Sequence, residues 1–304
     1  MSVEKEQDFS DTLDIGTYGR GYMTLASVSA EENPPSLPDM YHHNFISLLS
    51  VAIQLQVDLL DITWQPALEK LGKGASSLVN QSDQISKDLT FAFKRSVPGC
   101  DEWGPNSAMS DQKRYRALLS EILVLGMPSI RDHPNIIRLE GIAWEFNEGK
   151  VWPMLVFPKA NRGTLKEFIN SKEGQEASFE TLLRLCIDVA FGLHALHEVG
   201  EKSCHFENRN YSSQSWSGII HGDIKPTNIL VSREDRGFSA IIADFDSSSI
   251  CSTEDDLITL RRTPPWDAVE WHDRYFEVKD AKRTDIYSFG LVCFYTLNQG
   301  LLSM

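Results

Sequence analysis

The apolar positions of the chain change period more than once. Phe45, Leu48, Leu49, Ala52 and Leu55 fall at helical spacing, while residues from Ile53 to Leu59 alternate apolar and polar as a strand does, so both elements stay open there. From about 66 to 98 come short strand-like runs around a glycine-rich turn, among them "LTFAFKR" (89–95). A loop (99–109) leads to Ser110, a side chain suited to an N-cap. Tyr115, Leu118, Leu119, Ile122 and Leu125 then mark one face of a helix. "NIIRLEGIAW" (135–144) and "VWPMLVF" (151–157) read as strands. After residue 160 the pattern turns helical. Leu182, Leu185, Cys186, Val189, Leu193 and Leu196 keep a helical period, which predicts an amphipathic helix over 179–198. Residues 200–217 form a polar insertion, and no internal repeat is present. A strand-rich first half and a helix-rich second half predict an α+β fold in two lobes.

Composition narrows the partners. At roughly 100–200 residues per domain, 304 residues make about two domains or lobes. The net charge of −14 argues against a nucleic acid or an anionic membrane surface and mildly favours basic protein substrates, although a solvated acidic surface explains most of it. The cysteines (Cys100, Cys186, Cys204, Cys251 and Cys293) are odd in number, scattered and free of any CxxC pair. That pattern reads as free thiols in a reducing, intracellular and cytoplasmic setting. Cys204 and His205 lie near His194 and His197 but lack the spacing of zinc ligands. Residues 1–40 are acidic and polar, with Pro34, Pro35 and Pro38 near their end, and read as a disordered tail. No basic region followed by a continuous apolar stretch opens the chain, so no signal peptide is expected. The most apolar segment (45–64) is broken by Gln54, Gln56, Asp58 and Asp61 and falls short of the ~20 apolar residues of a membrane span.

Candidate chemistry gathers in "IIHGDIKPTNILV" (219–231), where Asp223, Lys225 and Asn228 stand between two apolar runs. Such a loop could orient a hydroxyl, neutralise a phosphate and hold a metal ion, the parts that phosphoryl transfer requires. "IIADFDSS" (241–248) supplies Asp244 after a strand; with the Asn228 amide oxygen it would suffice for magnesium, which takes one or two carboxylates plus substrate phosphates. Two glycine clusters could cradle phosphates. "GTYGRG" (16–21) sits in the disordered tail, which leaves "LGKGASSLV" (71–79), with Gly72 and Gly74. Lys94 follows in an apolar strand-like run and would be costly to bury unpaired; Glu121 on the next helix can pair with it. Taken one at a time these residues have plain alternatives: lone Asp and Asn form turns, and Lys and Glu mostly lie on the surface.

Their order in the chain resembles that of the eukaryotic protein kinase domain, from about residue 66 to the end. "LGKGASSLV" is similar to the glycine-rich loop, "FAFK" to the strand that bears the family's lysine, and "SEILVL" to the helix that bears its glutamate. "DHPNIIRLEG" resembles the segment after that helix, and "LVFPKANRGTL" (155–165) the hinge, with Phe157 as gatekeeper. "HGDIKPTNIL" resembles the catalytic loop, "DFD" the metal-binding triplet, "TPPWDAVE" (263–270) the end of the activation segment, and "TDIYSFGLV" (284–292) the start of the central helix of the second lobe. The resemblance implies a two-lobed kinase fold, a β-rich N-lobe at about 66–157 and a helical C-lobe at about 161–304, preceded by an extension (41–65). It implies ATP and magnesium as cofactors and a protein substrate. Asp223 would orient the substrate hydroxyl and Lys225 meet the γ-phosphate. Lys94, fixed by Glu121, would grip the α- and β-phosphates with Gly72 and Gly74 around them. Asn228 and Asp244 would hold magnesium, Pro158 and Ala160 meet adenine, and Asp285 anchor the catalytic loop.

The chain departs from that family at Ser77, in place of the third loop glycine, and at Asp246, in place of the glycine of the metal triplet. Gly222 stands where arginine is usual, so phosphates on Ser247, Ser248, Ser249, Ser252 or Thr253 would find no catalytic-loop cation. The chain also ends at Met304, where the family continues with further helices. On that resemblance Glu270 is expected to lack its family partner, and an apolar patch is expected around Leu291, Val292, Phe294 and Tyr295. Small-molecule kinases share an "HGD…N" loop but usually lack a residue like Lys225 and the blocks at 263–270 and 284–292, so the protein kinases are the better match, of serine/threonine type. The alternative is a pseudokinase that binds nucleotide or a partner without turnover.

Overall fold

The Asn44 side chain accepts the backbone N–H of Ser47 and caps α1 (Phe45–Gln54), which buries Leu48, Val51 and Ala52. Leu55 closes the helix, Gln56 takes a left-handed φ of 54°, and the chain enters β1 (Leu59–Thr63). The helical and alternating patterns that overlap in the sequence are thus realised one after the other. The computed structural model describes residues 42–63, 70–73, 77–82, 91–96, 107–147, 149–199, 217–235, 237–251, 253, 255–268 and 275–301, all within one unit spanning 34–304. The 1–40 tail, Gly74, Cys204, His205, Ser252 and Glu270 lie outside the described residues.

The first lobe is a six-stranded sheet. β2 (Lys70–Lys73), β3 (Ser77–Ser82) and β4 (Phe91–Ser96) precede α2 (Ser107–Leu125), and β5 (Gly141–Asn147) and β6 (Lys150–Pro158) follow it. The order is β1-β5-β6-β4-β3-β2, with β1 parallel to β5 and every other pair antiparallel. Two local expectations are corrected. α2 begins at Ser107 rather than after Ser110, because Ala108 and Met109 are good helix formers and extend it backwards. The run 135–144 is a strand only from Gly141. Ahead of it Asn135, Ile136 and Ile137 meet the second lobe instead: Ile242 N–H donates to Asn135 O, and Ile137 N–H to Ile242 O, both at 2.8 Å.

The second lobe is mostly helical. Thr164 and Glu167 form a capping box on α3 (Leu165–Asn170), and α4 (Lys172–Gln175) leads to α5 (Phe179–His197), one residue shorter than the predicted 179–198 because Glu198 is its C-cap. Short strands follow: β7 (Gly218–Ile220), the hairpin β8 (Ile229–Glu234) and β9 (Gly237–Ile242), β10 (Ser249–Cys251) paired with β7, and β11 (Leu257–Ile258) paired with β12 (Phe276–Glu277). α6 (Val278–Leu297) closes the described fold. One hydrophobic core joins α1 and α2 to β6, α5, β8 and β9.

The patch expected on α6 is only partly there. Val292 and Tyr295 are buried, Tyr295 edge-on to Trp266, while Phe294 is 50% exposed. A more continuous apolar face lies on α5, where Phe179, Leu183, Ile187 and Phe191 recur every fourth residue and are all exposed. Among the described residues no helix is long and apolar enough to cross a membrane.

Candidate functional site

Lys94 sits on β4 opposite Leu155, at the centre of the sheet, and its side chain is buried. A buried ammonium needs partners, and it has them. Its Nζ donates to both carboxylate oxygens of Glu121 on α2, at 2.9 and 2.8 Å, and to Asp244 Oδ1 at 2.6 Å. One lysine therefore ties the sheet, α2 and the turn after β9 together. Burial alone would lower the Lys94 pKa, but Glu121, Asp244 and Asp246 outweigh it and raise it above the usual lysine range. Burial pushes Glu121 up to about 7 against the pull of Lys94. Burial would raise the Asp244 pKa, but the charge and hydrogen bond of Lys94, with help from Lys225, outweigh it and hold Asp244 below the ordinary carboxylate value.

The loop after β7 is pinned from beneath. Asp285 on α6, almost fully buried, accepts the backbone N–H groups of His221 and Gly222 at 2.9 Å each and lies 3.1 Å from His197 Nε2. His221 Nε2 donates to Ala243 O at 3.1 Å, which leaves Nδ1 to accept the Asp223 N–H at 3.2 Å and fixes the tautomer. Gly222 has φ +73°, and a side chain there would meet Ser247 O and Leu260 Cδ2. Glycine suits this position sterically as well as removing the family's cation.

Asp223 itself is buried. Lys225 Nζ donates to its Oδ2 at 2.6 Å and Asn228 Nδ2 to the same oxygen at 3.0 Å, while Oδ1 is buried with no hydrogen-bond partner among the described residues. Because the Asn228 NH2 is engaged with Asp223, its amide oxygen is the atom left for a ligand. The Asn228 carbonyl accepts the Ala243 N–H at 2.9 Å, which sets Asp244 one residue beyond this loop. Asp244 has a left-handed φ of 70°, which aspartate tolerates better than most residues. Asp246 is not among the non-glycine residues with positive φ, so aspartate in place of the family's glycine carries no such strain here; its Oδ1 accepts the Ser247 hydroxyl at 2.9 Å.

The remaining sequence candidates are more scattered. Pro158 ends β6 opposite Phe91, Ala160 follows just beyond that strand, and Phe157 is buried next to them. Gly72 lies in β2 facing Val79. Ser248 and Ser249, two of the hydroxyls considered for phosphorylation, are buried. The motif order did not single out Ser120. Its hydroxyl, on α2 beside Glu121, lies within hydrogen-bond reach of the carbonyls of Phe245 (3.1 Å) and Ser248 (2.9 Å) and couples α2 to the segment after Asp244. The available signal was a serine among the apolar positions of the helix. A histidine, His197, at the end of the α5 stripe gave a similar hint of its contact with Asp285.

Comparison with known proteins places the chain in a family. The family model described as the protein kinase domain matches residues 66–304. A probable serine/threonine-protein kinase of Dictyostelium discoideum is 29% identical over 60% of this chain and 9% of its own length. Dual specificity testis-specific protein kinase 1 of Mus musculus is 30% identical over 53% of this chain and 22% of its own. A probable receptor-like protein kinase of Arabidopsis thaliana is 29% identical over 75% of this chain and 23% of its own. The chain thus spans between 9% and 23% of the length of these curated relatives.

Proposed function

We propose, from the premise that this chain belongs to the protein kinase family, that it transfers the γ-phosphate of ATP to serine or threonine hydroxyls of a protein substrate. The observation that carries this reading is the asymmetry of Asp223: one carboxylate oxygen is held by Lys225 and Asn228, while the other is buried and, among the described residues, unpartnered. A buried acceptor without a donor is costly, and a substrate hydroxyl supplies that donor. Asp223 would accept the hydroxyl's hydrogen bond and align its oxygen for attack, and Lys225, 2.6 Å away, would place positive charge where the transferred phosphoryl group gains negative charge.

Lys94 would bind the α- and β-phosphates, its direction set by Glu121. Gly72 and Gly74 would let the backbone approach the same phosphates, and Pro158 and Ala160 would offer a carbonyl and an N–H to adenine. The Asp244 carboxylate and the Asn228 amide oxygen make an all-oxygen donor set that fits a hard cation such as magnesium, and these two residues would hold it. When bound, magnesium neutralises charge on the phosphate oxygens. The serine/threonine preference rests on Lys225 and agrees with the name of the Dictyostelium relative; the testis-specific relative is named as dual specificity, so tyrosine belongs in the substrate panel.

The second reading, nucleotide binding without turnover, draws on Asp246, whose carboxylate adds negative charge beside Lys94 and Glu121. A magnesium-dependent phosphotransfer assay on generic protein substrates separates the two. Label moving from the γ-position to serine or threonine supports the kinase. Nucleotide binding with no transfer under any divalent cation supports the pseudokinase.

A further inference from the structure

Helix α1 and strand β1 precede the residues matched by the family model, yet the kinase portion is shaped to receive them. Leu48, Val51, Ala52 and Leu55 share a core with Tyr115, Leu118, Leu119 and Ile122 of α2, the helix that carries Glu121. At the end of α2, Gly126 leaves room for Leu55: a Cβ at 126 would stand 2.8 Å from Leu55 Cδ1 and 3.0 Å from Leu55 Cβ. Arg131 adds a polar clasp. Its Nη2 donates to the Leu55 carbonyl and, at 3.0 Å, to the Gly126 carbonyl, so one guanidinium caps the C-terminal ends of both helices. Beyond the helix the contact continues, with Ile142 N–H donating to Asp58 O at 2.8 Å and β1 extending the sheet beside β5.

We propose that α1 and β1 are a built-in positioning element for the Lys94–Glu121 pair, with Leu55, Gly126 and Arg131 as the residues that transmit it. A helix bearing one member of a buried ion pair must keep its distance from the sheet bearing the other, because a shift of about 1 Å at a positioned group can cost up to ~10²-fold in rate. α2 faces the sheet on one side. α1 and its clasp hold α2 from another, and they do so from within the same chain. The functional part of this inference rests on the ATP-binding reading of Lys94 and Glu121; its structural part does not.

The test uses the full chain with four variants: Leu55→Ala, Arg131→Ala, Arg131→Lys, and Ile46→Ser on the exposed face of α1, where Ile46 is 72% exposed. Amide hydrogen exchange over residues 115–125 is measured without nucleotide, and KM for ATP and kcat are measured on the folded fraction. Leu55→Ala and Arg131→Ala should speed exchange in α2 by about tenfold and raise KM for ATP by about tenfold, leaving KM for the protein substrate unchanged. Arg131→Lys, which keeps a cationic donor for one carbonyl, should recover part of both effects, and Ile46→Ser should match wild type. Lower melting temperatures with α2 exchange and KM for ATP within twofold of wild type would overturn the proposal. If no form of the chain transfers phosphate, the kinase reading fails, and the exchange data alone still decide whether α1 braces α2.

Discussion

Replacing Asp285 with asparagine should loosen the loop that carries Asp223 without touching any group proposed to meet substrate. The carboxylate now serves three donors: the N–H groups of His221 and Gly222, and His197 Nε2. Asparagine keeps one acceptor oxygen and turns an NH2 toward the other site, donor against donor. One buried backbone N–H then goes unpaired at about 1–3 kcal/mol, and the surviving bonds change from charge-assisted to neutral, at about 1 kcal/mol more. The total, roughly 2–4 kcal/mol, is a large share of a typical stability of about 5–15 kcal/mol. With a urea m-value near ~3 kcal/mol/M, the unfolding midpoint should fall by about 1 M. Phosphotransfer should fall with it, since Asp223 is the next residue after the released N–H groups. Asp280→Asn, on the exposed first turn of the same helix, is the control and should stay within about 0.5 kcal/mol of wild type. A midpoint for Asp285→Asn that matches this control would refute the reasoning, because it would mean that His221 and Gly222 do not depend on Asp285.

Two further outcomes follow from the site. Glu121 has its pKa raised from 4.5 to about 7, so the folded chain holds a proton there that the unfolded chain releases; this group's contribution to stability is greatest below about pH 4.5 and declines as pH rises toward 7. Glu121→Gln lacks that titration, and melting curves from pH 5 to 7.5 should show its deficit relative to wild type shrinking with pH; a deficit that grows would reverse the sign. Phosphatase treatment of an active preparation should leave its activity unchanged, because Gly222 offers no cation and Ser248 and Ser249 are buried; silencing by phosphatase would contradict this.

The candidate site was legible because it is written in short motifs. Asp223, Lys225 and Asn228 fall within six residues, and the loop joins their side chains directly. α5 was legible for another reason: its apolar period runs unbroken from Leu182 to Leu196. What stayed hidden depends on contacts between distant parts of the chain. Ile136 and Ile137 look like strand residues, and only the backbone of Ile242, more than a hundred positions on, explains why they are not in the sheet. Gly126 and Arg131 carry no local signal at all. Their identities make sense only once Leu55 is seated between them, and no periodicity along the chain records that meeting.

The central claim is that Asp223 serves transfer while Lys94 serves the nucleotide. Measuring ATP affinity and phosphotransfer side by side in wild type and Asp223→Ala tests it most directly. Removing Asp223 should abolish turnover and leave magnesium-dependent ATP binding within about twofold of wild type, since no phosphate contact is assigned to it. An Asp223→Ala protein that transfers phosphate at the wild-type rate would contradict the account at its root.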